Sequence, residues 1–129
     1  NMNNISFGGI TATPTRTLTK SRVTFTLDTD FAGDLGANSA RVVGNAKNLG
    51  EWGNAKRLNT KMNLLKDGSF SKTVTLDNGK DYEYKFLITD NNGVERWIAD
   101  NKKNPYGLEN SKFSIDNEGK LANTINISA

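Results

Sequence analysis

The stretch DYEYKFLITDNNGVERWIAD, residues 81–100, reads as a β-hairpin with one apolar face and one mixed face. Tyr82, Tyr84, Phe86 and Ile88 alternate with Asp81, Glu83, Lys85 and Leu87. That is the two-residue period of a strand buried on one side. Asp90-Asn91-Asn92-Gly93 supplies the turn and Val94–Ala99 the returning strand. Register decides where Trp97 points. A three-residue loop from Asn91 to Gly93, with Gly93 as the left-handed residue of a bulged turn, pairs Asp90 with Val94. Phe86 then faces Ile98, Leu87 faces Trp97, and Lys85 lies diagonal to the indole. A two-residue turn would set Trp97 beside Phe86 instead, because a one-residue slip moves every side chain to the other face. In the first register an indole and an ammonium share the solvent side, which is a recognition surface in outline.

The flanking sequence predicts more short strands. Arg22–Leu27 alternates, with Val23, Phe25 and Leu27 inward, and Ala40–Gly44 is a short second strand. Asp28–Asn38, with two Gly and three Asp, reads as a loop. Residues 44–59, GNAKNLGEWGNAKRLN, show no sustained period and are expected to form an ordered loop ending in a short strand near Leu58. Lys61–Leu65 and Phe70–Leu76 are strands joined through Asp67-Gly68, a strong hairpin signal. Lys72 interrupts the inward set Phe70, Val74 and Leu76, as a snorkelling side chain or a bulge. Past Asp100 come a polar loop, NKKNPYGLEN, a short apolar pair, Phe113 and Ile115, and a last strand through Leu121, Ile125 and Ile127. Seven or eight short strands without a useful helical pattern give an all-β sandwich. Residues 1–19, rich in Asn, Thr and Gly, are expected to be a linker or at best an edge strand, with the module over 20–129.

At 129 residues the chain makes one domain with room for a real core. It has no Cys and no His, so disulfides, thiol chemistry and the commonest general base and metal ligand are missing. The net charge of +3 comes from 17 basic and 14 acidic residues without a basic run, a solvated surface rather than a nucleic-acid footprint. No apolar stretch approaches the ~20 residues of a membrane span, so no membrane insertion is expected. Because the chain opens on Asn1 rather than Met, it is expected to be a piece of something longer. The compartment is left open, with an extracellular, cell-surface or periplasmic address favoured over the cytoplasm.

Catalytic devices are missing from the sequence. No Gly-x-Ser-x-Gly, phosphate loop, dinucleotide fingerprint or metal-ligand spacing appears, and no two carboxylates can be paired by spacing alone. No cofactor is expected, and Asp28, Asp30 and Asp34 are read as solvated rather than as a calcium site. What stands out is aromatic. Trp52 sits among Gly50, Gly53 and polar neighbours, and Trp97 on the mixed face of the hairpin. Each could instead fill the core, as buried Trp commonly does. Two exposed indoles beside Lys and Asn donors suit a sugar, which has a C–H face for stacking and hydroxyls at its edge. Burying an apolar sugar face on one indole contributes roughly 1–3 kcal/mol at ~25 cal/mol per Å². Two such platforms, less association costs, give a Kd of about 10 µM to 1 mM.

Residues 44–58, GNAKNLGEWGNAKRL, resemble the loop of starch-binding modules, in which a glycine-led segment reaches Leu-Gly-x-Trp before an apolar strand. YEYKF (82–86) followed by WIAD (97–100) resembles the Tyr-Lys-Phe and Trp-x-x-Asp segments of glycogen-binding modules. Those include the module of the AMP-activated protein kinase β subunit and the one preceding the catalytic barrel of branching and debranching enzymes. EGKLANTINI (118–127) is similar to their final strand, opened by an Asn. The resemblance implies an immunoglobulin-like β-sandwich that binds α-glucan: starch, glycogen or maltooligosaccharides. It matches Trp52 and Trp97 to the two stacking tryptophans and Lys85 to a lysine donating to sugar hydroxyls. Asn123 would be the asparagine opening the last strand. The segment from Asp100 to Asn123 is longer than is usual there, so Asn110 competes with Asn123 for that role. The usual Asp-Pro after the second Trp is replaced by Asp100-Asn101, with Pro105 further on.

The resulting expectation is a non-catalytic α-glucan-binding module, covalently joined to further domains of an amylolytic or glycan-capturing protein. The alternative is an immunoglobulin-like spacer or protein-interaction domain without sugar binding, in which either Trp packs against the core or a neighbour.

Overall fold

The protein is described by a computed structural model covering residues 5–7, 9–14, 19–53 and 59–122. Ten strands in these residues form two antiparallel sheets. The first sheet has the order β1 (Ile5–Phe7), β2 (Ile10–Pro14), β3 (Lys20–Leu27), β6 (Phe70–Asp77), β5 (Asn63–Leu64). The second has the order β10 (Leu121–Ala122), β9 (Ser111–Ile115), β7 (Lys80–Thr89), β4 (Ser39–Gly44), with β8 (Glu95–Ile98) also on β7. The molecule is therefore the all-β sandwich read from the sequence.

Its core is the sum of the inward alternations. Val23, Phe25 and Leu27 of β3 meet Tyr82, Tyr84, Phe86 and Ile88 of β7, all buried. Phe25, Tyr84 and Phe113 form an edge-to-face triangle with centroids 5.0, 5.8 and 6.0 Å apart, the offset geometry that aromatic quadrupoles favour. Ile10 and Ala12 of β2 also enter this core. The segment expected to be a linker or at best an edge strand thus contributes two strands, of which β2 lies between β1 and β3.

Asp28–Asn38 is not the predicted loop. Thr29–Leu35 forms a helix, α1, because Asp28 accepts from the Phe31 N–H at 2.8 Å as an N-cap and Gly36 ends it in a left-handed conformation. Phe31, Ala32 and Leu35 give it a buried stripe too short to register as a period in sequence. Lys72 keeps the unbroken β3–β6 register, opposite inward-facing Phe25, so it is no bulge. It snorkels to a groove between the sheets, shared with Asn38, Ser39 and Lys61. The short strand expected near Leu58 and most of the last strand lie outside the described residues.

A buried polar cluster fastens the start of the chain to the end of β8. The Tyr84 hydroxyl donates to the Asp100 carboxylate, which also accepts from the Gly9 N–H at 3.0 Å, while the Asp100 N–H donates to Ser111 Oγ at 3.1 Å. Burial pushes the Asp100 carboxyl up, against the hydrogen bonds from Tyr84 and Gly9. Burial and the neighbouring Asp100 charge push the Tyr84 hydroxyl well above its ordinary value.

Candidate functional site

Residues 90–94 fix the hairpin register. The Asp90 N–H donates to the Val94 carbonyl at 3.0 Å, and the Asp90 carboxylate accepts from the N–H groups of Asn92 and Val94. Gly93 takes φ +83°, the left-handed position of the bulged turn. The Val94 N–H, with help from Arg96, holds the Asp90 carboxyl below its ordinary range. Counting in from the turn, Phe86 pairs with Ile98 and Leu87 with Trp97, the three-residue-loop register. Trp97 consequently stands on the outer face of the second sheet and is 44 % exposed.

Trp52 reaches that face from β4. After Gly44 the chain makes a 3-10 turn, Lys47–Leu49, anchored by fully buried Leu49. Gly50, Glu51 and Trp52 then take φ of +83°, +47° and +60°, three left-handed residues in a row. For residues with a Cβ this costs roughly 1–2 kcal/mol each. The Glu51 N–H donates to the Ala46 carbonyl and the Trp52 N–H to the Gly44 carbonyl at 3.0 Å, so the loop closes back on β4. The part-buried Trp52 ring packs on buried Val43 and Leu87. This small apolar cluster is separate from the main core and supports the indole from beneath. The Trp52 and Trp97 rings lie edge to face, centroids 6.4 Å apart and planes at 61°.

Lys85 follows on the same outer row of β7, two residues from Leu87, but it is not the water-exposed ammonium the sequence suggested. It is only 8 % exposed, and its Nζ donates to the Gly107 carbonyl at 2.9 Å. The 101–110 loop folds over it, which hydropathy alternation could not foresee because that loop has no period. Asn110 immediately precedes β9, one step beyond the Tyr84–Ser111 pair and so level with Lys85. Its Nδ2 donates to Glu83 Oε1 at 2.9 Å. Asn123 lies outside the described residues. Four of the five predicted residues are thus gathered on one face, two with their donors engaged within the protein. Val43 and Leu87, the support of Trp52, carry no mark of a site in the sequence beyond the place of Leu87 as cross-strand partner of Trp97.

Carboxylates near the helix serve structure: Asp28 caps α1 and pairs with Lys102. No group of three or more His, Cys, Asp or Glu side chains converges among the described residues.

No curated protein sequence gives a significant match. Among solved structures, the chain is similar to a glycoside hydrolase family 15 glucoamylase from Hypocrea jecorina, with 19 % identity and a TM-score of 0.44. That alignment covers 70 % of this chain and 13 % of the glucoamylase, so the chain spans a small part of that structure's length. A family model described as starch binding domain matches residues 20–115, from the start of β3 to the end of β9. The chain, with its two-sheet sandwich and its outer-face pair of indoles, belongs to the starch-binding domain family of non-catalytic carbohydrate-binding modules.

Proposed function

We propose that this module binds α-glucan on the outer face of the second sheet, with Trp52 and Trp97 as its stacking surfaces. The observation that carries the reading is the pair itself: two adjacent indoles outside the main core, Trp97 44 % exposed and Trp52 seated on Val43 and Leu87. The 61° between the ring planes favours a curved ligand. A flat crystalline polymer cannot lie on both rings at once, whereas a chain that bends between sugar units can present successive C–H faces to each. Lys85 and Asn110 flank the rings and, as they stand, donate within the protein, so stacking is the primary determinant and the polar edge the lesser one. Of the spacer reading, in which either Trp packs against the core or a neighbour, the exposure of Trp97 leaves only a neighbour as cover for that indole. The parent is an amylolytic or glycan-capturing protein acting outside the cell, in which this module holds the polymer and other domains work on it.

Calorimetry with maltoheptaose, with cellohexaose as the straight-chain control, tests the reading. Binding of maltoheptaose at a Kd of about 10 µM to 1 mM, with quenching of Trp fluorescence and no response to cellohexaose, is expected. Failure to bind maltoheptaose, or equal binding of both sugars, would end it.

A further inference from the structure

Lys85 is too well covered to be only a hydroxyl donor. Its ammonium donates to the Gly107 carbonyl, and the loop carrying Gly107 is fastened at three further points. The Ala99 N–H donates to the Pro105 carbonyl at 2.8 Å, Asn110 Nδ2 donates to Glu83, and Lys102 pairs with Asp28; within the loop the Gly107 N–H closes a turn on the Asn104 carbonyl at 3.1 Å. Ala99 is one step beyond the Phe86–Ile98 pair, hence level with Lys85 and two residues from Trp97. Residues two apart on a strand are separated by ~6.6 Å, so the loop joins β8 one side-chain row along from Trp97. On either side of pinned Gly107 are Tyr106, 58 % exposed, and Leu108, 94 % exposed. A loop held by this many polar contacts that still turns a phenol ring and a leucine to water is a presented surface.

The geometry points to Lys85 as a positioning residue that clips the 101–110 loop to the sheet, and to Tyr106 as a third contact for the glucan, continuing the platform of Trp97 and Trp52. This rests on the α-glucan reading of the same face. Its occupant is the same chain, extended past the indoles by at least one further sugar unit. The phenol would offer a C–H stacking face and a hydroxyl to that unit. Leu108 would close the far side of it.

The test is a double-mutant cycle on the folded module, with Tyr106→Ala, Lys85→Met and the pair together. Maltoheptaose affinity is read by calorimetry and the exchange of loop amides by deuterium labelling. Methionine keeps the unbranched length of the lysine and removes its donors. Tyr106 is exposed, so its replacement leaves folding intact and keeps the cycle interpretable even if Lys85→Met is destabilised. Tyr106→Ala is expected to weaken binding by about five- to tenfold, the loss of one partly covered ring face. Lys85→Met is expected to weaken it as much and to speed amide exchange over residues 104–109. The double variant should bind like Lys85→Met alone, because a released loop no longer presents Tyr106. Full affinity in Tyr106→Ala would overturn the inference, as would weakened binding in Lys85→Met with the loop's exchange unchanged; the latter makes Lys85 a direct donor. If only the third contact is wrong, the unmodified module still binds maltoheptaose. If the unmodified module binds none, the α-glucan reading has failed and this inference falls with it.

Discussion

Replacing Trp97 by alanine separates ring contact from fold. The side chain is 44 % exposed on a strand that, among the described residues, pairs with β7 alone, and its ring touches Trp52 edge to face. Losing that ring pair costs about 0.5–1.5 kcal/mol of stability, too little to unfold a domain whose main core lies on the other side of the sheet. For binding, an indole of roughly 250 Å² that is 44 % exposed offers about 110 Å² to a ligand. One sugar covers one face, about half of that, worth ~1.4 kcal/mol at ~25 cal/mol per Å², or about tenfold in Kd. Trp97→Ala should therefore bind maltoheptaose about tenfold more weakly by calorimetry, while urea unfolding shows a loss of no more than about 1.5 kcal/mol. A variant that unfolds at the same urea concentration as the parent and binds with the same Kd would show that the exposed indole does no recognition.

Gly44→Ala should cost about 1–3 kcal/mol in a urea melt, since its Cβ would run into the Glu83 backbone carbonyl and crowd Leu49 at 3.0 Å. Asp28→Ala should cost about 1 kcal/mol through loss of the α1 N-cap, visible as a lower thermal midpoint. Asp100→Asn carries a pH signature. The Asp100 carboxyl is raised on folding, so its favourable contribution is complete below its unfolded value near 3.8 and declines as pH rises through the folded value. The stability of the parent relative to Asp100→Asn should accordingly fall from pH 4 upward in parallel urea titrations; a rise would contradict the burial argument. Glu51→Gly should be no less stable than the parent and up to about 1 kcal/mol more so, as relief of a left-handed Glu outweighs the added chain entropy.

Much of this was readable from residues because β7 states its two faces by alternation and Gly93 fixes how the partner strand returns. That is enough to place Trp97 opposite Leu87 and outside the core. The helix at Thr29–Leu35 was illegible for a physical reason: at seven residues it owes its existence to the Asp28 cap and to a pocket for Phe31 and Leu35, not to a period. The covering of Lys85 was illegible as well, because the 101–110 loop is positioned by point contacts from Ala99, Lys85 and Glu83, and none of these leaves a pattern in the sequence. Alternation alone also missed the contribution of β2. Its Thr-rich composition hides an Ile10–Ala12 inward pair that only the neighbouring strand reveals.

The left-handed run at Gly50, Glu51 and Trp52 has a thermodynamic consequence for the encounter with sugar. A ring whose backbone is already wound, closed onto Gly44 and seated on Val43 and Leu87 has little rotational freedom left to surrender. Association at Trp52 then resembles the docking of two rigid bodies: the free and occupied loops should superpose, capture should be quick, and differences in affinity between glucans should appear in how long they stay.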